Sequence, residues 1–135
     1  MKEQLLTVLE NSKKYTLSVA ETMPEDSYNY KPENAASDFK ELLNHIAYGI
    51  KWWEENYIKG IKTSWEPPTV VSGKKKIMAS LNVVYDSLQS TITSLKLNDD
   101  AVNGFHATID HITHHRGQAV LYLRCKGITP PEYIY

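Results

Sequence analysis

Five histidines carry the chemistry that this sequence offers: His45, His106, His111, His114 and His115, four of them within GFHATIDHITHHRGQ. Histidine ligates metals more often than any other side chain, and it also serves as an ordinary polar residue. The H-x-x-x-H spacing of His111 and His115 puts both rings on one side of a helix, one turn apart. At about 100° per residue, Phe105, Ile109, Ile112, Ala119 and Leu123 form an apolar stripe that this pair flanks, His115 the closer. His114 points nearly opposite the stripe, and His106 lies on its other flank. Upstream, Phe39, Leu42, Leu43, Ile46, Ile50, Trp53 and Tyr57 form a second stripe, with His45 on the same rotational side as His111. Two such helices packed side by side can bring three imidazoles to one divalent ion, leaving a position open for water or substrate as catalytic sites do. There is no HExxH glutamate, so the metalloprotease pattern fails. Asp110 adjoins His111 but points away from it on a helix, and Glu54, Glu55 and Asp110 fall outside the expected site. Incidental polar histidines fit the same spacing, and the helical wheel alone does not choose.

The elements that would position these rings are four helical segments. The first runs from about Glu3 to Ala20 and stops before Met23-Pro24. Pro24 and Pro32 bracket an irregular link, because proline and the residue before it disfavour helix. Ser37 is the expected N-cap of the second helix, with Lys40 and Glu41 in its first turn. That helix continues to about Tyr57 and ends near Gly60. A second link holds Pro67 and Pro68; the third helix comes next, from about Ser72 to Leu95, with Ile77, Leu81, Val84, Tyr85, Leu88 and Ile92 in line. The fourth runs from about Ala101 to Cys125 and ends at Gly127, before an extended tail, ITPPEYIY. No strand and no repeat is legible. The expected class is all-α: one four-helix-bundle domain over residues 1–135.

Composition narrows the function. A formal net charge of -1 lacks the positive field that non-specific nucleic-acid binding uses. No segment reaches the ~20 apolar residues of a membrane helix. The charged N-terminal stretch MKEQLLTVLENSKKY does not read as a signal peptide, and the single Cys125 implies no oxidising compartment. The expectation is a cytoplasmic protein that binds neither nucleic acid nor membrane.

FKELLNHIAYGIKWWEENY and DHITHHRGQAVLYLRCKGITPPEY resemble the DinB-like (DinB/YfiT) superfamily of four-helix-bundle metalloproteins, as does the approach YNYKPENAASDFKELLNHIA. The HHRGQ core followed by L-R and G-I-x-P-P is the most specific part; residues 60–100 show no motif. The resemblance implies a metal triad of His45, His111 and His115 holding zinc or nickel. It implies a small-molecule substrate, with thiol-dependent transfer using a low-molecular-weight thiol as the leading activity. A metal-dependent hydrolase and a non-catalytic metal-binding stress-response protein are the alternatives. Arg116, Gly117 and Gln118 belong to the motif, and Arg116 is expected to pair with a buried acid or carbonyl. A homodimer is also expected, since Tyr48, Trp52 and Trp65 lie off the main stripes. Tyr48, Trp52, Trp53 and Tyr57 are read as core and dimer-surface packing, with walling a pocket as the alternative.

Overall fold

A computed structural model describes all of residues 1–135. Its helices are α1 (Lys2–Thr22), α2 (Phe39–Trp53), α3 (Lys74–Ser94) and α4 (Asp99–Cys125), with a 3-10 turn at Glu25–Ser27 and a π-helical turn at Glu54–Ile58 directly after α2. The all-α four-helix bundle expected from the sequence is what forms. Helix α1 packs on α3 and α4, and α2 packs on the same two, so α1 and α2 stand at opposite corners. No helix is long and apolar enough to cross a membrane.

The stripes meet in one core. Phe39, Leu43, Ile46 and Ile50 of α2 are fully buried with Ile77, Leu81, Leu88 and Ile92 of α3 and Phe105, Ile112, Ala119 and Leu123 of α4. Burial of such side chains contributes about 1.5–3 kcal/mol each and is the main term holding the helices together.

Helix boundaries shift from expectation by a few residues, and at two of them the cap gives the reason. Asp38, not Ser37, caps α2: its carboxylate accepts from Glu41 N at 2.7 Å, while Asp38 N donates to Glu41 Oε1 at 3.1 Å. This reciprocal pair satisfies two amides at once, which a lone serine cap does not. The Ser37 carbonyl accepts instead from Tyr122 Oη at 2.7 Å, tying the start of α2 to α4. Asn98 caps α4 by accepting from Ala101 N at 2.8 Å, so that helix begins at Asp99 rather than Ala101.

The π-helical turn also breaks the stripe. Glu54 is 2% exposed and accepts from Ser87 Oγ at 3.0 Å and Thr91 Oγ1 at 2.5 Å, which anchors the turn to α3. On the other side Gly104 of α4 lies so close that a Cβ there would sit 2.8 Å from Tyr57 O. A π turn holds one residue more than an α turn and rotates the residues beyond it. Tyr57, in register with the core by α-helical spacing, is therefore 50% exposed.

Arg116 is 3% exposed and finds no acid. Its Nη1 donates to Ser12 O and Thr16 Oγ1 at 3.4 and 3.3 Å, and its guanidinium lies over the rings of Tyr15 and Tyr133 at 4.9 and 5.7 Å. The expected carbonyl pairing forms, and the cation is further stabilised by two ring faces. The role is structural: Arg116 holds the C-terminal tail on α1, where Tyr15 Oη also donates to Pro131 O at 3.3 Å.

Candidate metal centre

Helices α2 and α4 bring three ring nitrogens to one point. His45 Nε2 lies 3.0 Å from His115 Nε2 and 3.0 Å from His111 Nε2. The three side chains form a group whose ligand atoms all lie within 4.8 Å of one another. His106 and His114 are exposed and stand outside the group. Asp110 is exposed, Glu54 faces α3, and Glu55 lines the groove beside the site without joining the triad.

Three local features fix the rings. His115 Nδ1 is paired with Gln118 Oε1 at 2.9 Å, three residues on and hence one turn away. With Oε1 as the acceptor the proton sits on Nδ1 and the Nε2 lone pair faces the other rings, the orienting role that an outer hydrogen bond plays for a ligating histidine. His111 stacks on Trp53, with centroids 4.6 Å apart and planes 26° apart. Its other side lies against Gly49, where a Cβ would collide with Cε1 and reach 2.7 Å from Nδ1. Only glycine leaves this space on α2.

The arrangement fits a cation better than it fits hydrogen bonds among the rings. An imidazole nitrogen has one in-plane lone pair or one N–H, so His45 Nε2 cannot serve two neighbours at 3.0 Å. His111 Nδ1 is buried with no partner, so the ring is not held by a hydrogen bond on its far side. Nitrogens bound to one ion at 2.0–2.1 Å stand about 2.8–3.4 Å apart between right-angled and tetrahedral geometry. Two of the separations here match that range.

Burial and the neighbouring rings favour the neutral form of His45 and His111. Burial is the larger cause lowering the His45 pKa, and His115 adds to it. Burial likewise takes His111 from 6.5 down to about 4, helped by His115, His45 and His114. A neutral imidazole is the form that ligates a metal.

His45 and His115 open onto a groove of ≈ 840 Å³. Gln118 and Tyr122 of α4, Tyr48 and Trp52 of α2, and Thr63, Glu66, Pro67 and Val71 among others of the link after α2 also line it. Tyr48 and Trp52 thus wall a pocket, and Trp53 backs a site histidine, where the sequence pattern favours core and surface packing for all three. Neither Gly49 nor Trp53 is assigned to the site by the sequence alone, although both continue the i, i+4 row that starts at His45. Gln118 is recognised there only as part of a motif, yet its spacing from His115 is a usable signal.

The fold has solved counterparts. A DinB-like protein from Bacillus cereus ATCC 10987 superposes with a TM-score of 0.82 at 20% identity, covering 98% of this chain and 97% of its own. A DinB-like protein from Bacillus subtilis gives 0.77 at 18% identity, covering 97% and 98%. No family model matches the chain, and no curated protein matches it in sequence. The architecture is therefore that of the DinB-like four-helix bundles, along the whole chain.

This geometry makes two outcomes testable. Gly49→Ala displaces His111 and should weaken divalent-metal affinity by roughly tenfold or more while the bundle stays helical. A competitive chelator titration with circular dichroism checks this, and unchanged affinity would show that the notch is incidental. The second concerns pH. His45 and His111 have folded pKa values below the unfolded value of about 6.5. Above that value both states are unprotonated and native stability is full. As pH falls from about 6.5 towards about 4, the unfolded chain takes up protons that native His111 refuses, so stability drops. Urea unfolding of metal-free protein across this window should show the fall, and a flat profile would contradict buried neutral rings.

Proposed function

We propose that this protein is a metal-dependent enzyme in which His45, His111 and His115 hold one divalent ion, zinc or nickel, next to a substrate groove. The carrying observation is the convergence of three Nε2 atoms with His45 3.0 Å from both partners, at the end of a groove with room for a small molecule. Pockets that take small molecules usually run from about 300 to 1,000 Å³, and this one falls within that range.

Thiol-dependent transfer with a low-molecular-weight thiol is the reading we favour. A divalent ion held by uncharged ligands supplies positive charge that lowers the pKa of a thiol or a water beside it. The chain supplies no carboxylate within the triad, so a general base would have to come from the groove carboxylates Glu41, Glu55 or Glu66. Hydrolysis gains from such a base; a thiol, already close to its pKa at neutral pH, has less need of one. In this reading the chain's own residues bind and orient. Gln118 sets the His115 tautomer, Trp53 and Gly49 fix His111, and Tyr48 and Trp52 exclude water from one wall. Metal-dependent hydrolysis is the alternative, and a non-catalytic metal-binding role in stress response is the other. We place the protein in the cytoplasm as a homodimer, two-fold dimers being the commonest closed assembly of such chains.

The test begins with metal. Chelator-stripped protein should take up close to one zinc or nickel per chain at neutral pH. His115→Ala should remove most of the affinity and His114→Ala very little, because only His115 is in the triad. No uptake by the wild type sinks the site. Loaded and stripped protein should then be screened with thiols and electrophiles; turnover that ignores the metal rejects the enzymatic reading. Light scattering at tens of micromolar, above the Kd of a dimer of about micromolar affinity, should give twice the chain mass, and a monomer mass rejects the dimer.

A further inference from the structure

Residues 61–70 form neither helix nor strand and are exposed throughout, yet they track α2 closely. Asn44, Tyr48 and Trp52 of α2 and Asn56 of the π-helical turn, four residues apart, hold this strap and the Val71 that follows it. Asn44 exchanges two bonds with Val71: Val71 N donates to Oδ1 at 2.8 Å and Nδ2 donates to Val71 O at 3.0 Å. Glu66 N donates to Tyr48 Oη at 2.8 Å, and Trp52 Nε1 donates to Thr63 O at 3.2 Å. Thr63 N donates to Asn56 Oδ1 at 2.8 Å, while Asn56 Nδ2 donates to Thr63 Oγ1 at 2.9 Å. Strap numbers fall as helix numbers rise, so the strap runs antiparallel to α2 and closes one wall of the groove.

Both ends of the strap are glycines in the left-handed region, Gly60 at φ 73° and Gly73 at φ 100°, and nothing lies within 4 Å of a Cβ at either. No packing constraint accounts for the two glycines; they permit a backbone that other residues adopt only with strain. Between them Trp65 lies edge-on to His45 at 5.6 Å and packs on Tyr48 and Trp52 at 4.7 and 5.3 Å. Its indole stays 40% exposed, so it covers the histidine without joining the core.

We propose that the strap is a lid over the triad: it is latched by Asn44, Tyr48, Trp52 and Asn56, hinged at Gly60 and Gly73, and Trp65 is the side chain that controls what reaches His45 and His115. The proposal rests on the triad being the ligand site. Water replaces each exposed latch bond when it breaks, so the strap opens at far less cost than the bundle unfolds. Hinged segments of this kind gate access and exclude water once closed. Tyr48 and Trp52 serve both as latch and as wall, so strap position and groove shape change together.

The experiment reads access without needing a metal. Chelator-treated full-length protein receives brief pulses of diethyl pyrocarbonate at neutral pH, and peptide mass spectrometry follows each histidine. The exposed His106 on α4 serves as the internal reference. In wild type, His45 and His115 should react more slowly than His106. The double variant Asn44→Ala/Tyr48→Phe removes latch bonds but keeps the ring wall. It should raise the His45 and His115 rates roughly threefold or more, with His106 unchanged and the helical signal intact. Trp65→Ala should do the same by removing the cover while leaving the latch. Unchanged His45 and His115 rates in both variants overturn the lid. A proportional rise at His106 also overturns it, since that marks general loosening. Failure of metal uptake with the lid signature present would instead reject only the metal centre.

Discussion

At Gly49 the backbone of α2 lies against the imidazole of His111, closer than any side chain would allow. The remaining site geometry depends on this contact. With His111 seated in the notch, its Nε2 falls 3.0 Å from that of His45, one turn earlier on α2, and His115 approaches the same atom from the next turn of α4. The apolar stripes could pack with the helices slightly further apart, since hydrophobic burial is nearly non-directional. The notch turns a general α2–α4 association into one separation and one rotation.

Holding three imidazoles in a small bundle is unfavourable unless something compensates. A buried polar atom without a partner costs about 1–3 kcal/mol, and His111 Nδ1 is one. Stacking on Trp53 and the Gln118 bond to His115 offset part of this by restricting the rings before any ligand arrives. The other buried charge-bearing groups show the contrast. Arg116 and Glu54 are each enclosed by hydroxyls, a carbonyl, ring faces or a lysine. Arg116 Nη1 and the Glu54 carboxylate find partners within the chain, whereas the triad directs its nitrogens at one another. A polar cluster left unfinished inside an otherwise satisfied bundle is the signature of a ligand position.

What the sequence makes legible tracks how local each signal is. The helical stripes depend on spacing within one element, so Phe39, Leu43, Ile46 and Ile50 are readable as core before any partner is known. His111 with His115 is readable on the same ground, and His45 by its rotational side. The N-cap of α2 is misplaced by one residue because Ser37 and Asp38 are both good caps. The reciprocal Glu41 bond decides between them, and its D-x-x-E spacing is itself a local signal. The π-helical turn is hidden, since it depends on Ser87, Thr91 and Gly104 in distant segments. So is the buried surrounding of Arg116, whose partners Ser12, Thr16 and Tyr133 lie about a hundred residues upstream or at the chain end.

The face of α2 that the stripe does not occupy carries two further rows, and they divide the work. His45, Gly49 and Trp53 recur every four residues and supply a ligand, the notch for a second ligand, and the ring that backs it. Asn44, Tyr48, Trp52 and Asn56 recur at the same interval one position over and hold the strap. Neighbouring rows on one helix cannot rotate independently. The core row fixes the azimuth of α2, and that azimuth aims one row at α4 and the other at the link. The π-helical turn falls just where both rows end, at Glu54–Ile58, and its anchoring to α3 and close fit against α4 stop the helix from sliding along its axis. One rigid helix thus carries His45, the notch and ring that seat His111, and the latch of their cover, and a substitution that turns α2 would disturb all of them.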